Sequence, residues 1–203
     1  MSTLTEGNLV FKFPERWRVT KLDEWSYYTN RFVTLSSGLQ LTCAKCNATL
    51  KCQKCGTSKN VGVKAVDFLA MDTERTTWLI EVKDYRRFPR TKVLDFGSEI
   101  ALKVRDTLAM IAAASINATD SSEKQFASKS LKSMRLRIVV HLEQPGVRSK
   151  LRPRIIEPAA LVQKLKQLLK SIDPHPEVVG IGSLLQGTWS VSNNDNSVSS
   201  YDG

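Results

Sequence analysis

Apolar residues change their spacing from stretch to stretch along this chain, and each spacing predicts a different element. Residues 63–71 and 77–83 are apolar runs of strand length joined by a polar turn at 72–76. That is the pattern of a β-hairpin or of two adjacent strands. Side chains alternate along a strand, so Trp78, Ile80 and Val82 share one face, and Leu79, Glu81 and Lys83 share the other. On the preceding run Val63, Ala65, Asp67 and Leu69 point one way, and Val66, Phe68 and Ala70 the other. At residues 97–116 the spacing becomes helical. Ile100, Val104, Leu108, Ile111 and Ser115 make one stripe, and Glu99 and Lys103 are placed to pair at i,i+4. Residues 158–170 form a second amphipathic helix opened by Pro158, with Leu161, Leu165, Leu168 and Ile172 turned inward. A weaker helical pattern covers 20–32, with Thr20 as its cap.

Strands are expected at 33–42, 135–143 and 178–181, and a polar loop with a short helical segment at 117–132. From residue 190 a Ser/Asn-rich tail lacks any apolar pattern and is expected to be disordered. The order helix, strand, strand, strand, helix, strand, helix, strand predicts an α/β fold with a mixed sheet between helices. With 203 residues the chain is read as one domain over 1–189 with a core of its own, followed by the tail at 190–203.

Charge changes the picture in two ways. Asp67, Glu81 and Lys83 interrupt runs otherwise fit for burial, and a buried carboxylate is costly unless it is paired or binds a metal. Three such groups on neighbouring strands mark a candidate site. The net charge of +10 favours a polyanionic partner, with nucleic acid ahead of an anionic membrane because no basic amphipathic helix with a large aromatic face is present. Just beyond Lys83, a basic loop carries Tyr85, Arg86, Arg87, Arg90 and Lys92, which suit phosphate contacts and base stacking. No apolar run is long enough to span a bilayer and the first residues are polar, so a cytoplasmic protein is expected.

All four cysteines fall within one short stretch, as Cys43-x2-Cys46 and Cys52-x2-Cys55. Each pair can bite one tetrahedral ion, and Lys45, Lys51 and Lys54 favour thiolates. A structural Zn2+ in an insertion at 40–58 is the expectation; an iron–sulfur cluster remains open, and a disulfide pair is disfavoured inside a cell. His141 lies in an apolar strand and His175 between prolines, so neither belongs to a recognisable triad. No Gly-x-x-x-x-Gly-Lys loop is present for nucleotide triphosphates.

Asp67, a spacer, and then Glu81-Val82-Lys83 within an apolar strand resemble the PD-(D/E)XK nuclease superfamily, which has the restriction-endonuclease-like fold. The usual proline before the first acid is Val66 here, and the Gln-x-x-x-Tyr signature of RecB-like members is absent. The resemblance implies an α-β-β-β-α-β core and metal-assisted phosphodiester hydrolysis, with DNA as the expected substrate. Asp67, Glu81 and the Val82 carbonyl would hold Mg2+ or Mn2+, and Lys83 would act on the attacking water. Glu24 on a first helix, and Lys103 and Asp106 on the helix after the catalytic strand, are the additional residues it suggests. It also places such a nuclease in prokaryotic defence against phage or other foreign DNA, as a homodimer or with a partner protein. The rivals are a nuclease-like domain that binds nucleic acid without cutting it, and a zinc protein that binds a partner protein.

Overall fold

In a computed structural model, the structure describes residues 1–34, 36–40, 60–88, 90, 94–145, 156–183 and 189–194. The chain opens with β1 (Ser2–Glu6) and β2 (Leu9–Phe13), which pair antiparallel, followed by β3 (Arg18–Lys21) and a short helix α1 (Ser26–Asn30). After a 3-10 turn at Phe32–Thr34 come β4 (Ser36–Gln40) and β5 (Asn60–Gly62), paired antiparallel. Then follow β6 (Phe68–Met71), β7 (Thr76–Asp84), α2 (Phe96–Asn117), α3 (Ser121–Ser130) and β8 (Arg135–Glu143). The described chain ends with α4 (Pro158–Leu169), β9 (Glu177–Val179) and β10 (Ser190–Asn193).

The central sheet has the order β3-β6-β7-β8-β9. Its first three strands are antiparallel neighbours; β7, β8 and β9 run parallel, which requires the crossovers that α2–α3 and α4 supply. The fold is thus a mixed α/β one. Alternation sorts the faces of the sheet. Leu69, Leu79, Ile138 and Val140 pack with Ile100, Val104 and Ile111 of α2 and with Leu161, Leu165 and Leu169 of α4. Phe68, Ala70, Ile80, Val82 and Val139 pack the other way, against Leu9, Phe11 and Phe13 of β2. Each of those leucines contributes about 1.5–3 kcal/mol by leaving water. At Gly97 a Cβ would come within 2.6 Å of the Lys164 side chain, so the missing side chain is what lets α2 lie this close to α4.

Besides Leu168, expected to face inward but 42% exposed while Leu169 takes the buried place on α4, three expectations need correction. The helix expected over 20–32 is mostly not one. Thr20 pairs with Leu69 in the sheet, and its hydroxyl accepts from Trp25 Nε1 at 2.8 Å instead of capping a helix. The remaining α1 takes its N-terminal cap from Glu123 of α3, whose carboxylate accepts from Ser26 N at 2.6 Å and Tyr27 N at 3.1 Å. The tail expected to be disordered begins as β10, because β2 offers it a free antiparallel edge and Val191 lies opposite buried Phe11. The third concerns 117–132, where an Asp120 N-cap accepting from Ser122 N and Glu123 N starts α3, longer than the expected short segment.

Candidate functional site

The hairpin and the helix that follows it bring four charges together. Asp67 precedes β6, Glu81 and Lys83 sit on one face of β7, and Lys103 reaches them from the buried side of α2. Glu81 is 1% exposed. Its Oε1 accepts from Lys103 Nζ at 2.6 Å and forms an ion pair with Lys83. Asp67 Oδ2 accepts from Val82 N at 2.6 Å and lies 4.0 Å from Lys83 Nζ, while its Oδ1 lies 3.7 Å from Lys103 Nζ. Lys83 also donates to the Val82 carbonyl at 2.9 Å. Two carboxylates and two ammonium groups thus cancel within one cluster. Thr107 braces its helix side, accepting from Val66 N at 2.9 Å and donating to Lys103 O at 2.7 Å.

The titration of the cluster follows from its burial. Burial first, and then the negative charge of Asp67, push the Glu81 carboxyl above its ordinary range, against the pull of Lys103 and Lys83. Burial works against the Lys83 ammonium too, but the joint attraction of Glu81 and Asp67 outweighs it and raises Lys83 above the usual lysine range. Glu81 Oε2 is buried without a hydrogen-bond partner.

Part of the ligand set expected for a divalent cation is already engaged in this arrangement. The expected ligands were Asp67, Glu81 and the Val82 carbonyl. Glu81 Oε1 and the carbonyl already accept from ammonium groups, and Asp67 Oδ2 accepts a backbone N–H. A metal placed among them would face two positive charges at close range. Among the described residues no group of three or more His, Cys, Asp or Glu side chains is placed to hold a metal ion. The four cysteines and the expected zinc knuckle lie outside the described residues.

The additional residues fare differently. Lys103 joins the cluster, and it does so in place of the expected Glu99 pairing. Glu81 is the buried acid nearest its ammonium, and Glu99 pairs instead with Arg90, at 2.9 Å. Asp106 takes no part in the cluster's ion pairs and accepts from Lys64 N at 3.3 Å. Glu24 is exposed before α1, 3.8 Å from Lys21, because the helix meant to aim it inward does not form there. In the basic loop, Arg86 grips Asp84 through two nitrogens and donates to Asn193 Oδ1 at 2.6 Å. Tyr85 is half-buried, edge-on to Phe96, while Arg87 and Phe88 are exposed; Lys92 lies outside the described residues. Sequence reasoning missed Thr107, whose position one turn after Lys103 on the same helix was its signal.

Among the described residues no helix is long and apolar enough to cross a membrane. No protein-family model and no solved structure matches the chain. It is 35% identical over 191 residues to a cysteine–tRNA ligase of Neisseria meningitidis serogroup A, an alignment covering 84% of this chain and 26% of the ligase. The chain therefore spans about a quarter of the length of the curated relative it matches. This likeness overturns the expectation of a metal-dependent nuclease, and with it the endonuclease and phage-defence roles.

Proposed function

We propose that this chain is a tRNA-binding module that works in the attachment of cysteine to tRNA, as part of such an enzyme or beside it. The likeness to a cysteine–tRNA ligase over 84% of the chain carries the reading. The net charge of +10 supports it, since phosphate neutralisation supplies most of the affinity of proteins for nucleic acids.

The restriction-endonuclease-like core is the fold we infer, supported by the antiparallel β3-β6-β7 order followed by the parallel β7–α2–β8 unit. A fold of that kind does not dictate cutting. In this chain the Asp67–Glu81–Lys83–Lys103 cluster ties β6, β7 and α2 together and holds the binding surface in shape. The four cysteines are proposed to bind one structural zinc, supported by the two Cys-x-x-Cys pairs.

Binding of purified tRNA at several salt concentrations tests the reading. The expected result is a complex whose affinity falls linearly with the logarithm of salt concentration. A chain that leaves tRNA free even at low salt would show the proposal to be wrong.

A further inference from the structure

At the end of the sheet opposite the ion cluster lies a cleft of about 240 Å³, lined by Arg16, Arg18, Arg75, Lys129 and Lys132 together with Asp72. All five cations are exposed, and among the described residues none is in an ion pair. Arg75 donates to the Lys132 carbonyl at 3.0 Å, and Arg18 lies over the Phe126 ring at 5.5 Å; neither contact removes charge. Asp72 is committed elsewhere. Its Oδ1 accepts from Glu74 N and Thr76 N, both at 2.8 Å, and its Oδ2 accepts from Trp78 Nε1 at 3.0 Å.

Local structure explains only part of this gathering. Lys129 and Lys132 lie at the C-terminal end of α3, where a helix dipole favours positive charge. Arg16, Arg18 and Arg75 have no such reason to be there. They come from the turn before β3, from β3 itself and from the β6–β7 turn, and the fold brings them to one rim. Arg75 even adopts a left-handed backbone, φ 60°, a conformation that favours glycine. Beside the cations Met134 is 72% exposed and Leu131 48% exposed, an apolar rim on which a ribose or base can rest. Five cations around a single carboxylate leave the cleft with a net positive charge, so it is complementary to a ligand that carries several negative charges at close spacing.

The geometry points to this cleft as the phosphate-backbone site for RNA, with Arg16, Arg18, Arg75, Lys129 and Lys132 as its contacts. The identification of RNA as the ligand rests on the tRNA reading above; the cleft itself rests on its own cations. The test compares the full chain with a triple variant, Arg16→Ala, Arg75→Ala and Lys132→Ala. A control variant, Lys166→Ala with Lys170→Ala, takes exposed cations from α4 and from the residue that caps its end. The probes are purified tRNA and a short DNA duplex, bound across a series of salt concentrations, with thermal unfolding as the check on folding.

The expected result is that the triple variant folds and binds tRNA roughly tenfold or more weakly, with a shallower salt dependence, while the control loses much less. If both variants weaken equally, or if the triple variant binds as wild type does, the cleft is not the site. If the duplex binds more tightly than tRNA and the triple variant loses it, the tRNA reading fails and the cleft stands as a phosphate site. If wild type binds neither probe, both fail.

Discussion

Glu81 and Arg75 lie six residues apart, roughly 20 Å at the rise of a strand, yet their charges meet opposite circumstances. Around Glu81 two lysines and two acids close on one another inside the protein, and little net charge is left for a ligand. Around Arg75 five cations stand in solvent and the nearby carboxylate is occupied with backbone and indole N–H groups. The motif that stands out in the sequence is at the first place, and the unbalanced field is at the second. Charge within a strand is therefore a sign of a compensated interior as readily as of a reactive one. The ligand is to be sought where compensation is missing.

The comparison breaks most readily at the buried end. Glu81→Ala leaves Lys103 and Lys83 with only the more distant Asp67, and stability measured by urea unfolding should fall by about 3–5 kcal/mol. Binding of tRNA by the fraction that stays folded should hardly change. A variant as stable as wild type but unable to bind tRNA would reverse the roles of the two ends.

The pH dependence sharpens the same contrast. Lys83 has a folded-state pKa raised above its ordinary 10.5 by Glu81 and Asp67, against the effect of burial. Its contribution to stability is therefore fully present below 10.5 and is lost as the pH rises through the raised value. The stability gap between wild type and Lys83→Met should be widest near neutrality and should narrow in strong alkali. A gap that grows there would mean that the ammonium is not held by the two carboxylates.

How much of this was legible depends on the range of the interaction. The β6–β7 hairpin, α2, β8 and α4 follow from spacing within each segment, so Leu79, Ile100 and Leu165 could be placed from neighbours alone. The cap on α1 could not, since Glu123 is 97 residues from Ser26. Nor could β10, where Val191 is a lone apolar residue that gains its place only once β2 is there to pair with it. At the site, Asp67, Glu81 and Lys83 announced themselves as charges inside apolar strands. Lys103 was assigned the wrong partner, because the i,i+4 rule knows only the helix on which it lies. The cleft arginines come from separate turns and strands, so nothing in the order of the chain joins them. The function was misread because a short acid-spacer-Glu-x-Lys pattern stood for a family, whereas the likeness to the ligase extends over 191 aligned residues.

At the cationic end the next largest effect belongs to Asp72→Ala. Three N–H groups lose their acceptor, and the hairpin turn should cost about 1–3 kcal/mol of stability, read from the unfolding midpoint. Asp72→Asn keeps an acceptor oxygen and removes the only carboxylate lining the cleft, so tRNA affinity should rise while most of the stability remains. Affinity that falls in the Asn variant would mean that the ligand does not sense the charge of the cleft.

The smallest effect on stability is expected from Arg75→Gly, and it separates charge from conformation. A left-handed backbone costs a non-glycine residue about 1–2 kcal/mol, which glycine removes. Against this the variant gives up the hydrogen bond to the Lys132 carbonyl, which is exposed and worth about 0.5–1.5 kcal/mol, and it gains chain entropy when unfolded. The opposing terms should leave the unfolding free energy within about 1 kcal/mol of wild type. Binding should not be spared, because one of five cations is gone, and the slope of affinity against salt should flatten by about one contact. Arg75→Asn, which also tolerates the left-handed region, should lose the same binding. If both variants bind tRNA as wild type does, the left-handed arginine is an accident of the turn. If binding falls while stability holds, the strain at Arg75 is kept for its charge, which is what sets this end of the sheet apart from the buried cluster at Glu81.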